Sequence, residues 1–191
     1  MNIGVDLDNT IIQTDKFILN DLNKYYNSSY VLEDIVMPRI EKALNLDVKI
    51  VSKFINLALG LTHLIKPLDG IPYYFNRISS TNNVSIISRR SPELYGITKM
   101  SLDKLGVRDY LLYLTLGKKS DILRAKDIEV MVEDNLEEVA DIYNNNCECI
   151  VLLMNRYWNK GFVGSSNIKR VKNWEEIYAT ITSIQSSKLG N

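Results

Sequence analysis

The sequence predicts an α/β fold: a Rossmann-like, doubly wound parallel sheet with a small helical cap inserted after the first strand. Three observations lead to this prediction. The opening run NIGVDL is apolar enough to be a strand buried on both faces, as parallel strands usually are. Residues 13–66 carry only helical patterns, and from Tyr73 onward apolar runs alternate with helical segments. We therefore expect a core domain over residues 1–12 and 67–191 and a helical cap domain over residues 13–66.

The helical insertion, residues 13–66, contains three helical patterns. In the first, TDKFILNDLNKYYN, apolar side chains such as Phe17, Ile18 and Leu22 recur at helical spacing. The second pattern is EDIVMPRIEKALNLD, which Pro38 interrupts, and the third is VKIVSKFINLALGLTHLI. The turn-forming stretch KPLDGIP ends the insertion and leads back to the core.

The remainder of the core alternates between helices and strands. The expected strands are NVSIIS, YLLYLTL, IEVMVED and CECIVLLM. The expected helices are YYFNRIS, SPELYGITKMSLDKLG, SDILRAK, LEEVADIYNN and NWEEIYATITSIQSS. Ser91 and Pro92 mark one helix start and Gly106 marks its end. Asn173 and Glu176 give the last helix a start that resembles a capping box.

The composition excludes several classes of protein. With 191 residues, 46% of them hydrophobic, the chain can bury one full core. The 23 basic and 23 acidic residues cancel, so nucleic acid polymers and membranes are not expected partners. No window reaches the ~20 apolar residues of a membrane helix, and Cys147 and Cys149 are expected to be reduced thiols. We expect a cytoplasmic protein, and composition leaves both a monomer and a homodimer open.

Polar side chains follow four of the predicted strands at the points where those strands end. In parallel sheets, ligands bind outside the carboxyl ends of the strands, so these side chains are expected to share a site. The first strand delivers Asp6 and Asp8, and NVSIIS ends in Ser88. The other two strands lead to Lys118 and Lys119 and to Glu133 and Asp134.

Those residue types fit phosphoryl transfer. Clustered carboxylates repel one another, which a Mg²⁺ ion held by oxygen ligands would relieve. The hydroxyl of Ser88, a lysine and backbone N–H groups form an anion receptor suited to phosphate. Asp6 would attack phosphorus to give an aspartyl-phosphate, while Asp8 would act as the general acid and base. The sequence therefore predicts a Mg²⁺-dependent phosphomonoesterase.

The four motifs, in this order, resemble the haloacid dehalogenase superfamily of phosphohydrolases. They are DLDNT, the serine after an apolar strand, the lysine before a helix, and the acidic pair ED. The resemblance implies a haloacid dehalogenase-like core, Asp6 as nucleophile and Asp8 as acid and base. It further implies that Asp6, the main-chain carbonyl of Asp8 and Asp134 bind Mg²⁺, with Glu133 acting through water. Dehalogenating members lack the second aspartate, so Asp8 favours the phosphatase branch.

Four basic residues compete for the role of phosphate ligand. The resemblance implies that Ser88 and a lysine hold the phosphate, and Lys119 is preferred to Lys118 because it directly precedes the helix start SD. Arg89 joins the phosphate-binding candidates. Arginines in such positions are more often solvated or ion-paired than bound to substrate, and this holds for Arg90 as well.

The sequence indicates the substrate less clearly than it indicates the reaction. LMNRYWN and KRVKNWEEI resemble bacterial and phage nucleotidases related to 5'(3')-deoxyribonucleotidases, which implies a nucleoside monophosphate as substrate. A phosphatase of sugar phosphates or phosphoglycolate, a phosphate-binding module without turnover, and a 3'-phosphatase on polynucleotides remain alternatives. Net neutrality argues against the last of these.

Two further features of the insertion have an ordinary structural interpretation. The sole histidine, His63, lies away from the strand ends and is expected to be structural. Aromatic residues at helical spacing either line a pocket for a base or belong to the core; they are Tyr25, Tyr26, Tyr30 and Phe54.

Overall fold

The computed structural model describes residues 1–145 and 148–189, and it contains one six-stranded parallel sheet. The strands are β1 (Asn2–Val5), β2 (Asn83–Ser88), β3 (Tyr110–Leu114), β4 (Val130–Glu133), β5 (Ile150–Met154) and β6 (Ile168–Val171). Their order across the sheet is β3-β2-β1-β4-β5-β6. The first strand therefore lies in the middle, between β2 and β4, and the predicted parallel α/β fold is confirmed.

Eight α-helices connect these strands in the described residues. They are α1 (Thr14–Tyr26), α2 (Ile40–Ala43), α3 (Val48–Gly60), α4 (Tyr73–Ser79), α5 (Tyr95–Lys104), α6 (Lys119–Ala125), α7 (Leu136–Asn144) and α8 (Trp174–Leu189). The first three lie within the helical insertion. Among the described residues, no helix is both long enough and apolar enough to cross a membrane.

Alternation of side chains along the strands puts a core on each face of the sheet. On one face, Val5, Ile86 and Val132 belong to the larger core, to which Phe75 of α4 and Trp174 of α8 contribute. On the other face, a smaller core includes the following residues of β2, β4, β5, α6 and α7: Ile87, Met131, Leu153, Leu123 and Val139. Helices on both faces define the doubly wound arrangement.

The helical insertion leaves and rejoins the core at one place. Ile12 and Pro67 form an antiparallel bridge, the N–H of Gln13 donates to the carbonyl of Lys66 at 2.9 Å, and the N–H of Leu68 donates to the carbonyl of Ile11 at 2.8 Å. The two connections therefore run side by side. The insertion begins directly after the turn that carries Asp8, which places it at the carboxyl edge of the sheet.

The structure differs from the predicted elements in three places. The helix predicted to start at Ser91 and Pro92 begins as a 3₁₀ turn at Pro92–Leu94, Ser91 makes no side-chain capping bond, and α5 itself starts at Tyr95. The second helical pattern becomes a 3₁₀ turn at Leu32–Asp34 and the four-residue α2. Pro38 lies between them and interrupts the helix, because proline has no backbone N–H to donate. A sixth strand, β6, was not predicted; its sequence IKRV is short and half charged, as suits an edge strand. Cys149 is buried just before β5, and Cys147 lies outside the described residues.

Candidate active site

The carboxyl edge of the sheet holds a pocket of about 200 Å³ beside β1, where the strand order reverses. Such a reversal is where open α/β sheets bind ligands. All seven predicted site residues line this pocket: Asp6, Asp8, Ser88, Arg89, Lys119, Glu133 and Asp134. The helical insertion contributes Asp15 and Pro38 to its wall. The structure thus brings the predicted residues together, and their individual roles stay predictions.

The turn after β1 sets the positions of the two aspartates. The N–H of Asp6 donates to the carbonyl of Val132 at 2.9 Å, which continues the pairing of β1 with β4. Asn9 then adopts a left-handed conformation with φ 57°, which asparagine tolerates better than most residues. The N–H groups of Ile11 and Ile12 fold back onto the carbonyl of Leu7, and this tight turn holds the aspartates at the edge of the sheet.

Lys119 lies inside the acidic group. Its Nζ donates to Oδ1 of Asp6 at 2.5 Å and to Oε2 of Glu133 at 2.8 Å, and all three side chains are buried. Lys118 is instead exposed and points its Nζ to within 3.9 Å of Asp141, away from the pocket. Of the two lysines, Lys119 is therefore the one that lines the pocket.

The donor set in the pocket fits a Mg²⁺ ion. Asp6, Glu133 and Asp134 each offer an oxygen, and these oxygens lie within 4.8 Å of one another. Both carboxylate oxygens of Glu133 already accept hydrogen bonds. Its Oε1 accepts them from the N–H groups of Asp134 and Asn135, and its Oε2 accepts one from Nζ of Lys119. Among the described residues, no hydrogen bond reaches Oδ2 of Asp6, Oδ1 of Asp134 or the carbonyl oxygen of Asp8. Asp6 and Asp134 would therefore hold the ion through their open oxygens, with Glu133 beside them.

Burial raises the pKa of two carboxyl groups in this acidic group. It raises the pKa of Asp6 to about 8, although Lys119 lies against the carboxylate, and raises the pKa of Asp134 well above its ordinary value. Burial lowers the pKa of Lys119, but Asp6 and Glu133 outweigh it and raise that pKa overall. One ammonium cannot balance three buried carboxylates, so the group binds a proton that a divalent cation would displace.

Asp8 is held separately from this group by Arg90. The guanidinium donates through Nη2 to Oδ1 at 2.6 Å and through Nε to Oδ2 at 2.9 Å, and Arg90 is only 1% exposed. Thr14 donates to the same carboxylate at 2.5 Å and Ser88 at 3.3 Å. Burial raises the pKa of Asp8, but the charge and hydrogen bonds of Arg90 and the bond from Thr14 outweigh it. The pKa of Asp8 therefore lies below its ordinary value, and the carboxylate is ionised at neutral pH.

Arg89 has a partner as well. Its side chain is 53% exposed, and Nη1 donates to Oε1 of Glu138 at 3.2 Å at the rim of the pocket. The other carboxylate oxygen of Glu138 is buried and accepts no hydrogen bond from the described residues. Arg89 reaches the pocket mouth, and Glu138 fixes it there.

Six lining residues were not among the predicted site residues: Asn9, Asp15, Pro38, Asn135, Glu138 and Trp158. Trp158 donates through Nε1 to Oδ2 of Asp134 at 3.1 Å, across a long loop that no local pattern reveals. Glu138 had a readable signal, since it lies four residues after Asp134 at the start of a predicted helix. Asp15 lies in the first turn of α1, where an acidic residue usually signals only a helix start.

The aromatic candidates and His63 do not line this pocket. The ring of Tyr25 meets Tyr26 and Phe54 at centroid distances of 4.9 and 5.6 Å, while Tyr26, Tyr30 and Phe54 pack against the larger core. His63 lies in the 3₁₀ turn Thr62–Leu64. The structure favours the core interpretation for Tyr26, Tyr30 and Phe54, whereas Tyr25 is 59% exposed.

Comparison with solved structures identifies the architecture. A haloacid dehalogenase-like hydrolase from Xanthomonas campestris matches with a TM-score of 0.65 and 13% identity over 100% of this chain and 98% of its own. A haloacid dehalogenase-like hydrolase from Streptococcus pneumoniae matches with a TM-score of 0.67 and 14% identity over 94% and 97% of the two chains. The chain has the haloacid dehalogenase fold. No family model and no curated protein matches its sequence.

A third structure of the haloacid dehalogenase fold contains the expected ion. This hydrolase from Bacillus subtilis has magnesium bound, and it matches with a TM-score of 0.59 and 12% identity over 94% of this chain and 97% of its own. At these identities the match establishes the fold alone.

Proposed function

We propose that this protein is a Mg²⁺-dependent phosphomonoesterase that works through an aspartyl-phosphate. One observation carries the proposal: Asp6, Lys119, Ser88 and the acidic pair Glu133 and Asp134 share one small pocket at the switch point of the sheet. The shared fold with hydrolases of the haloacid dehalogenase type supports it.

Asp6 would supply the nucleophile. An oxygen of its carboxylate forms a bond to phosphorus while the bond from phosphorus to the leaving oxygen breaks. Lys119, already 2.5 Å from Asp6, and the hydroxyl of Ser88 would hold the phosphoryl oxygens where charge accumulates. Bound Mg²⁺ would supply further neutralisation of the phosphoryl oxygens.

Asp8 would move the protons. Asp8 is ionised at rest, so it would first take up a proton and then give it to the leaving oxygen in the first half of the reaction. In the second half it would take a proton from the water that attacks phosphorus, while the bond from phosphorus to Asp6 breaks and frees that carboxylate. In the structure both oxygens of Asp8 are bound by Arg90. The carboxylate must therefore give up one of these bonds before it reaches the leaving oxygen.

The helical insertion would act as a cap. It lies at the carboxyl edge and puts Asp15 and Pro38 into the pocket wall. A cap of this kind excludes water from the phosphoenzyme and contacts the part of the substrate that is not phosphate. For that part we propose a nucleoside, on the strength of the tail segments LMNRYWN and KRVKNWEEI.

The test is phosphate release from nucleoside monophosphates, sugar phosphates and phosphoglycolate, with Mg²⁺ and with EDTA. We expect turnover only with Mg²⁺ and led by nucleotides. Asp6→Asn should abolish turnover while the fold persists, and Asp127→Asn is the matched control, because it makes the same change at a left-handed position remote from the pocket. Turnover led by another metabolite would discard the nucleoside and keep the mechanism. Activity that survives Asp6→Asn would remove the covalent mechanism, and no turnover of any compound would favour a binding module.

A further inference from the structure

A second and larger cavity, of about 560 Å³, lies behind the wall formed by Asn9 and Trp158. We call it the basic cavity. Its lining comes from four places: the loop between β5 and β6, the loop between β6 and α8, the start of α1, and the return connection at Leu68 and Asp69. The tail segments that sequence analysis singled out therefore line this cavity. The predicted chemistry makes no use of it.

The basic cavity carries an excess of positive charge. Five cationic residues line it against one acidic residue, Asp69: Lys16, Arg156, Lys160, Arg170 and Lys172. Within the described chain, only Lys172 among these five has a carboxylate within 4 Å, namely Glu176 at 3.7 Å, and both partners are exposed. Exposed pairs of this kind neutralise little. The charges of Asp15 and Asp134 offset part of the charge of Arg156. That leaves three cations of the cavity with no carboxylate neighbour in the described residues: Lys16, Lys160 and Arg170.

The two arginines are fixed in place by neutral groups. Arg156 donates through Nε to the carbonyl of Asn9 at 3.0 Å, and Arg170 donates through Nη1 to the carbonyls of Asn159 and Phe162 at 2.9 and 2.8 Å. These bonds orient each guanidinium without cancelling its charge. A concave site in which cations outnumber carboxylates and two guanidinium groups are held in place attracts anions.

The remaining lining indicates more than a simple anion. The ring of Tyr157 is 41% exposed, its hydroxyl donates to Glu33, and apolar groups of Leu32, Leu68 and Trp174 line the same space. An ordered aromatic ring beside apolar groups favours a planar partner. Oδ1 of Asn155 is buried and accepts no hydrogen bond from the described residues, so a ligand hydroxyl or amine would satisfy it.

We propose that the basic cavity binds an aromatic organic anion: a phosphate or similar group for the cations, a planar ring for Tyr157 and a donor for Asn155. The volume lies within the range of small-molecule sites. Because the cations of the basic cavity hold the anionic group, such a ligand is a molecule separate from a substrate whose phosphate occupies the acidic pocket. The wall between the two spaces is shared, because Arg156 holds Asn9 and Trp158 holds Asp134.

The experiment measures equilibrium binding of AMP to the full chain in EDTA, where the metal-dependent reaction is off. Three partial probes are compared with AMP. Ribose 5-phosphate lacks the aromatic base, adenosine lacks the phosphate, and inorganic phosphate lacks both the base and the sugar. We expect AMP to bind at least tenfold more tightly than each of them. Binding should also weaken with added salt, because the cations act at the surface of the cavity.

Two double variants locate the site. Lys16→Gln with Lys160→Gln removes two cations of the cavity and should weaken AMP binding at least tenfold. Lys53→Gln with Lys169→Gln removes the same charge from exposed positions outside the cavity, with Lys169 next to Arg170 on β6, and should change binding less than twofold. Matching urea midpoints of the two double variants show that both are folded.

Equal AMP affinity in the two double variants, or no saturable binding to the wild type, would overturn the proposal. A Ser88→Ala variant gives an independent check: weakened AMP binding would place the phosphate in the acidic pocket and overturn the proposal, and unchanged binding would support a separate ligand in the basic cavity. Because turnover plays no part in these measurements, their result does not depend on the proposed phosphatase activity.

Discussion

Replacing Arg90 by Met removes the charge that holds Asp8 while keeping much of the buried volume. The ion pair is bidentate, with distances of 2.6 and 2.9 Å, and its arginine is 1% exposed. Thr14 and Ser88 would still bind the carboxylate after the change. The variant therefore isolates the contribution of one guanidinium to the stability of the pocket.

Its cost follows from the burial of the partner left behind. Removing one member of a fully buried ion pair usually costs about 3–5 kcal/mol, because an unpaired charge remains. The side chain of Asp8 is 27% exposed, so water can solvate part of it. We therefore expect Arg90→Met to lower the free energy of unfolding by about 2–3 kcal/mol. Asp8→Asn leaves a more deeply buried cation with the hydroxyls of Thr62 and Thr98, and should cost about 3 kcal/mol or more.

The double variant completes a thermodynamic cycle. With both charges gone, the loss should be smaller than the sum of the single losses by about 2 kcal/mol. Urea unfolding at pH 7 in EDTA measures all four free energies, and constant m-values show that the variants unfold alike. Arg90→Lys keeps the charge but loses the bidentate geometry, so its stability should lie between those of the wild type and Arg90→Met.

The pH dependence gives the cycle a second readout. The pKa of Asp8 in the folded protein lies below its ordinary value of 3.8. The pair therefore contributes fully above pH 4 and loses its contribution as the pH falls through the lower folded value. Arg90→Met should lose this part of the acid sensitivity. Losses that add within about 0.5 kcal/mol would refute the coupling and with it the role of Arg90 in holding Asp8.

Three further predictions concern the metal and the sheet. Because burial raises the pKa of Asp6 to about 8, Mg²⁺ should bind more tightly as the pH rises from 6 to 8 and should release protons, which calorimetry in two buffers measures; pH-independent affinity would contradict this. Gly4→Ala should destabilise the protein by about 1–3 kcal/mol, because the added Cβ would lie 2.7 Å from the buried sulfur of Met131. Gly96→Ala in α5 is the control, because its Cβ meets no atom within 4 Å; the urea unfolding midpoint should fall for the first variant and not for the second. Mg²⁺ should change the fluorescence of the Trp174→Phe variant, in which Trp158 remains, because the indole of Trp158 contacts Asp134. It should not change the fluorescence of the Trp158→Phe variant, because the indole of Trp174 donates to the carbonyl of Thr10 instead; a response from both variants would argue against the contact with Asp134.

The predicted core and pocket rested on signals that are local in sequence. Apolar runs mark strands, and polar residues at the ends of those runs mark the carboxyl edge, so Asp6, Ser88, Lys119 and Asp134 could be placed together before any contact was known. Topology alone then brings them into one pocket.

What could not be predicted depends on contacts between distant residues. The pair of Arg90 and Asp8 joins positions 82 residues apart, and nothing near either residue reveals the other. Trp158 reaches Asp134 from a loop whose path depends on the unpredicted strand β6. The basic cavity likewise forms only where three loops and α1 meet, although its aromatic and basic residues stood out in the sequence.

The central position of β1 has a consequence for synthesis of the protein. This strand is made before the other five strands of the sheet, yet its register partners begin at Asn83 on one side and Val130 on the other. A nascent chain therefore carries Asp6 and Asp8 on an unpaired strand until β2 has left the ribosome, and contacts of such long sequence separation form slowly. Prematurely terminated chains that end before β4 contain both aspartates but neither Glu133 nor Asp134. We expect such fragments to be inert, because the pocket forms only after β4 and the acidic pair that follows it have been made.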